Sequence, residues 1–307
     1  NNKRIFAPIQ NMSGIDQDGY IRDASGELID LSDNSVVATF KTDMVGNWKL
    51  DIPSSKIPEL YKIKFLPGGI DIASGKVVNT TYSNVATKAE TTALSSSTLN
   101  ITPLTTVKAN IVETKYSENP SANLDTMIQE SNQAVAVALD IPLESIGNDY
   151  IENQDTSVMK AATKINLITQ TLKENIASED ASVTNDSVFA SIVDTIKDST
   201  EKFDFTNSTN ITNIVSATSS TVSATVISNS TTIVSSASTN VDNASGASFL
   251  DIMTDVVKTS VATVEFVEAT DKTATINSSS MESTIATEKE NVTVGEIFQF
   301  LPEPEPE

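Results

Sequence analysis

The stretch Asn100-Ile101-Thr102-Pro103-Leu104-Thr105-Thr106-Val107 marks where the pattern of this chain changes. Thr102 can act as a helix N-cap, and Pro103 suits the first helical position, where its missing N–H is not needed. Leu104, Val107, Ile111 and Val112 then follow helical spacing. Before this point the apolar residues recur every second position, and after it every third or fourth. The expected architecture is therefore α+β and multidomain: an N-terminal antiparallel β-sandwich over 1–100, an all-α helical domain over 101–300, and an acidic Pro-Glu tail or linker over 301–307.

Upstream, Trp48-Lys49-Leu50-Asp51-Ile52 alternates, which puts Trp48, Leu50 and Ile52 on one face. Ser35–Phe40 and Tyr61–Phe65 are β-branched or alternating, and Ile5–Ile9 reads as a short first strand. Asp18-Gly19, Ser25-Gly26, Gly46-Asn47 and Pro67-Gly68-Gly69 supply turn chemistry between them. Short strands at regular spacing point to a sandwich. The segment Asn1–Asn11 reads as an ordinary first strand; insertion into a neighbouring subunit is the alternative.

Downstream, Ser121 opens a second helix that Ile141-Pro142 stops. Helical seams follow at Val158–Ile176, Val188–Ile196 and Phe249–Val264. The stretch from Thr206 to Val241 is Thr- and Val-rich, which favours strand by propensity. Ile211, Ile214, Val215 and Thr218 nevertheless fit one helix face, so helices broken by polar turns are expected there.

Composition limits the chemistry. The 307 residues contain no His and no Cys, which removes Ser-His and Cys-His catalysis, His or Cys zinc sites and disulfides. Twenty Lys+Arg against 41 Asp+Glu give a formal net charge of −21, a poor match to a phosphate backbone or an anionic membrane. Nucleic acid is not an expected partner, and neither is membrane insertion, since no run approaches about 18 apolar residues. The chain starts with Asn1 and carries no basic-plus-apolar leader, which reads as a processed or partial chain. Sequons at Asn79, Asn207, Asn210, Asn229 and Asn291 are what an Asn-, Ser- and Thr-rich chain produces by chance.

The segment Gly19–Ala24 with Ser35–Thr39 and Thr42-Asp43-Met44-Val45-Gly46-Asn47-Trp48 is similar to carboxypeptidase-regulatory-like (prealbumin-type) sandwich modules. Asp43 can hold the turn backbone, Gly46 permits unusual φ, and Trp48 fills a core. Gly68-Gly69-Ile70-Asp71-Ile72-Ala73-Ser74-Gly75 followed by Thr102-Pro103-Leu104-Thr105-Thr106-Val107 resembles large secreted or surface-attached repeat proteins of marine bacteria and their phages. In those proteins a GG-x-D-x-x-[TS]-G segment leads to TPLTTL and then a helical bundle; Val107 stands here in place of the usual Leu. The matches span about residues 15 to 175. The resemblance implies an extracellular or cell-surface location, or a virion surface.

One constellation suggests a metal. Asp16, Asp18, Asp23 and Glu27 surround a Gly turn with oxygen ligands of the kind Ca²⁺ takes. The EF-hand spacing is incomplete, and a solvated turn is the alternative reading. Asp71 is expected to cap its own turn. No catalytic residues are assigned. The expected function is a non-enzymatic structural or adhesive subunit of an extracellular surface assembly or filament, partnered by other copies of itself or by other surface proteins. The alternatives are a virion fibre or decoration protein, and a carbohydrate-binding module using Trp48 or Tyr20.

Overall fold

The computed structural model describes residues 7–295, so the Pro-Glu segment and the first six residues, including Ile5 and Phe6 of the expected first strand, lie outside it. Strands dominate the chain up to Thr98, with one short helix, Lys88–Thr92, falling between the last two of them, and helices follow from Pro103. The strands are β1 (Ile9–Ile15), β2 (Ile21–Arg22), β3 (Ser25–Asp30), β4 (Ser35–Lys41), β5 (Asn47–Pro53), β6 (Leu60–Phe65), β7 (Ile70–Asp71), β8 (Tyr82–Thr87) and β9 (Ser96–Thr98). The helices are α1 (Lys88–Thr92), α2 (Pro103–Glu118), α3 (Leu124–Leu139), α4 (Thr156–Ala177), α5 (Asn185–Ile196), α6 (Ser208–Thr218), α7 (Ala224–Asn243), α8 (Phe249–Ala269) and α9 (Ser278–Glu288).

Two compact units divide the chain. One comprises Asn1–Asp71, Lys76–Gln133 and Gly147–Asp149; the other comprises Ile72–Gly75, Ala134–Ile146 and Tyr150–Glu307. The first unit does not stop near residue 100. It takes in α2 as well, because α2 buries Ala109 and Val112 against Val85, Leu60 and Leu31 of the strand region.

Within the first unit, the two larger sheets have the orders β5-β1-β9 and β4-β3-β6-β8, and β2 pairs antiparallel with β7 in a small two-stranded sheet. All pairings in the four-stranded sheet are antiparallel, while β1 pairs antiparallel with β5 and parallel with β9. Both larger sheets contribute to one apolar core: Met12, Trp48 and Ile52 come from the first, and Leu28, Ile63, Phe65 and Tyr82 from the second. Trp48 stacks on Phe40 at 5.1 Å, and Phe65 meets Phe40 edge-on. The alternation read at 48–52 holds, with Trp48 and Ile52 buried, Leu50 half-buried, and Lys49 and Asp51 exposed.

The turn into β5 forms as its residues dictate. Asp43 Oδ1 accepts from the Val45 and Asn47 N–H groups, both at 2.9 Å. Gly46 sits at φ +82°, where a Cβ would come to 3.0 Å from the Ile21 nitrogen. Only glycine adopts that conformation without strain.

The TPLTT helix start is also built as read. The Thr102 hydroxyl accepts from the Thr105 N–H (3.2 Å), and the Thr105 hydroxyl accepts from the Thr102 N–H (2.9 Å), a reciprocal cap. The Thr105 hydroxyl donates to the Ser83 carbonyl at 2.8 Å, and the Thr106 hydroxyl accepts from the Ser83 N–H at 2.9 Å. Two threonines of one helix turn thus bond both backbone groups of Ser83 in β8. The following helix, α3, begins at Leu124 rather than Ser121, because the Asn123 side chain takes the Thr126 N–H and sets the cap there.

The second unit is helical among its described residues, apart from short turns. The ambiguous 206–241 region forms α6 and α7, separated by a polar turn capped by Ser223. Four buried hydroxyls of this unit find partners within their own helices. Thr169, Thr171, Ser230 and Thr263, all fully buried, donate to the carbonyls of Ile165, Leu167, Val226 and Thr259, four residues back. These four hydroxyls are satisfied within their own helices, while Asn175 of α4 donates across to Ser230 of α7 at 2.9 Å and Ser236 of α7 to Glu282 of α9.

Candidate interaction surface

Strand β4 closes one end of its sheet: β3 pairs with one side of it, and no strand among the described residues pairs with the other. Seven residues long, it carries Val36 at 51% exposure and an exposed Thr39, with Lys41 at its end. The register shifts between Leu28 and Ile29, so that Val37 is an extra residue on β4. This bulge twists the first half of the strand and leaves Ala38–Lys41 as the regular pairing edge.

The other sheet ends differently. β5 is also an edge strand, but its outward positions are Asn47, Lys49 and Asp51, and the last two form an exposed ion pair at 3.9 Å. Charges on an edge discourage strand addition. β4 lacks that protection over Val36–Phe40. Its far neighbour in the same sheet, β8, is covered by α2. Of the four edges of the two larger sheets, β5 is charged, β8 is covered, and β9 is only three residues long, which leaves β4 as the long open one.

Of the four carboxylates expected to surround Ca²⁺, Glu27 and Asp23 are held in ion pairs. Glu27 lies on β3 and pairs with Lys64 at 3.2 Å, while Asp23 pairs with Arg22 at 2.5 Å. Asp16 is buried, its N–H bonded to the Gly46 carbonyl and its carbonyl accepting from Ile21. Asp18 is half-buried and close enough for its charge to act on Asp16. Among the described residues no group of three or more acidic side chains comes together as a metal site requires. The expected four-ligand set is not assembled: Asp23 and Glu27 are engaged by Arg22 and Lys64.

That turn holds something else. Gln17 Nε2 and the Tyr20 hydroxyl donate to the two oxygens of Asp149 at 2.7 and 2.8 Å. Asp16 Oδ1 has no hydrogen-bond partner, and burial, reinforced by the Asp18 charge, raises the carboxyl well above the usual Asp range. The cluster ties the turn to residue 149 and leaves one buried carboxyl oxygen, Asp16 Oδ1, without a partner.

In the helical unit a cavity of about 200 Å³ opens beside Phe203 and Phe205, with Lys160 and Lys164 on its wall. Those cations are already engaged. Lys160 donates to the carbonyls of Asp242 and Ala244 at 2.8 and 2.7 Å, and Lys164 meets the Asp242 carboxylate at 2.5 Å. Both stabilise the negative end of α7.

No family model, curated protein or solved structure matches this chain. Function therefore has to be argued from surfaces and burial. Trp48 and Tyr20, the aromatic residues a sugar would stack on, are 2% and 7% exposed and present no face to a ligand. Of the sequons, Asn229 is fully buried with its side chain bonded to the Ala274 carbonyl and the Ile276 N–H, so it is no acceptor for glycan. No helix among the described residues is long and apolar enough to cross a membrane.

Proposed function

We propose that this chain is a non-enzymatic structural or adhesive subunit of an extracellular surface assembly, a β-sandwich module followed by a helical domain. The observation that carries this reading is the open β4 edge. A strand with free N–H and C=O groups, apolar side chains and few charges is a template for a further strand. The occupant we assign is a strand of a second copy of this chain.

Two features support the same reading. Of the aromatic residues that would serve a carbohydrate site, Trp48 packs in the core and Tyr20 is buried with its hydroxyl on Asp149. The acidic groups are dispersed into ion pairs, caps and turns rather than gathered around a reaction centre.

The test uses Val36→Lys combined with Thr39→Lys. Both positions are exposed, so the fold is retained while the edge becomes charged. Sedimentation velocity and electron microscopy of the full chain at moderate ionic strength should show oligomers or filaments for the wild type. The doubly substituted protein should stay monomeric. A wild-type protein that remains monomeric over all salt and protein concentrations defeats the reading.

A further inference from the structure

Lys108 and Asn84 meet in the interior of the first unit. Lys108 lies on α2 and is 9% exposed; Asn84 lies on β8 and is 2% exposed. The Lys108 Nζ stands 2.9 Å from Asn84 Oδ1, its one hydrogen-bond partner among the described residues. Two further contacts fix the orientation of the amide. The Val85 N–H donates to Asn84 Oδ1 at 2.8 Å, and Asn84 Nδ2 donates to the Asn100 carbonyl at 2.8 Å.

A buried lysine is ordinarily held by a carboxylate or by several carbonyls. Here it faces a single carboxamide. We propose that Lys108 and Asn84 form an intramolecular isopeptide bond that covalently joins α2 to β8.

The parts required for acyl transfer stand in place. The nucleophile must be an uncharged amine, and burial pushes the Lys108 ammonium down to about 8 against the opposing pull of the Glu90 charge. The electrophile is Asn84 Cγ. Its oxygen receives the Val85 N–H, a backbone donor placed where negative charge develops as the amine adds. The leaving nitrogen is Nδ2, held by the Asn100 carbonyl.

The ammonium first gives up a proton to solvent. The Nζ lone pair then forms a bond to Cγ while the carbonyl π electrons move onto Oδ1. As they return, the Cγ–Nδ2 bond breaks. Nδ2 takes a proton from Nζ and departs as ammonia. The product is a secondary amide plus NH₃, with no oxidant, reductant or co-reactant consumed.

The intact mass of the purified full chain decides the matter. It should lie below the sequence mass by that of one ammonia, about 17 Da. Tryptic digestion should give a branched peptide joining the segment that holds Asn84 to one that runs uncleaved through Lys108. Asn84→Ala and Lys108→Arg should each restore the full sequence mass. Asn84→Asp should lose one water, about 18 Da, in its place, since the same attack on a carboxyl expels water. A wild-type mass equal to that of the sequence overturns the proposal. So does a loss of ammonia accompanied only by linear peptides, which would place a cyclised asparagine elsewhere. The wild-type measurement stands even where a variant fails to fold.

Discussion

Asp16 shows how much a single buried carboxyl can matter. It is 1% exposed, Oδ1 lacks a partner, and burial raises its protonation range well above that of a free aspartate. Between the unfolded and folded protonation ranges, the folded chain binds a proton that the unfolded chain releases. Stability therefore falls as pH rises through that window. Asp16→Asn removes the ionisable group. At pH 7 the variant should be more stable than the wild type by about 1–3 kcal/mol, on the scale of an unpaired buried polar group. Below about pH 3.8, where both states of the wild-type aspartate are protonated, the gain should vanish. Urea denaturation at the two pH values checks both halves. A variant less stable at pH 7 would mean that the charge is held by a partner.

Among the elements, α2 was the most legible and β8 the least. Thr102-Pro103 marks a helix start through local chemistry alone, and the structure forms a reciprocal cap there. The Trp48-Leu50-Ile52 face was readable because β5 has one buried side and one wet side. All six residues of β8 are buried, so Tyr82–Thr87 has no alternation to detect. Its polar members Ser83 and Asn84 make it look like a loop, and only the threonines and lysine of α2 explain why they are inside. The 206–241 region went the other way. Spacing at Ile211, Ile214 and Val215 prevailed over strand propensity, because those residues seal a helical interior.

The junction of α2 with β8 carries its own prediction. Thr105→Val keeps the shape but leaves the buried Thr102 N–H and Ser83 carbonyl without the bonds the hydroxyl supplied. The expected cost is about 1–3 kcal/mol, read as a lower urea midpoint with unchanged slope. An equally stable variant would show that water or the neighbouring Thr106 replaces it. The open edge of β4 was only half legible. Its sequence reads as a strand, but whether a strand lies at an edge depends on its partners, which come from distant parts of the chain.

For the molecule as a whole, charge sets the terms of association. At −21, copies repel one another over roughly a Debye length, about 10 Å at 0.1 M salt. Assembly through β4 brings those fields together. Oligomer formation should therefore strengthen as ionic strength rises from about 0.02 to 0.5 M, the reverse of an interface built on ion pairs. Light scattering across a salt series distinguishes the two, and weakening with added salt would remove β4 from consideration.

The residues 72–75 belong to the helical unit although strands of the sheet unit flank them on both sides. The Gly295 N–H, at the far end of the described chain, donates to the Ala73 carbonyl at 2.7 Å. On the ribosome these two points emerge far apart in time. The early tetrapeptide must wait until Gly295 has been translated before this docking partner exists. Vectorial synthesis therefore cannot finish the helical half one piece after another, and a gene fragment starting after the strands encodes a body missing part of its own wall.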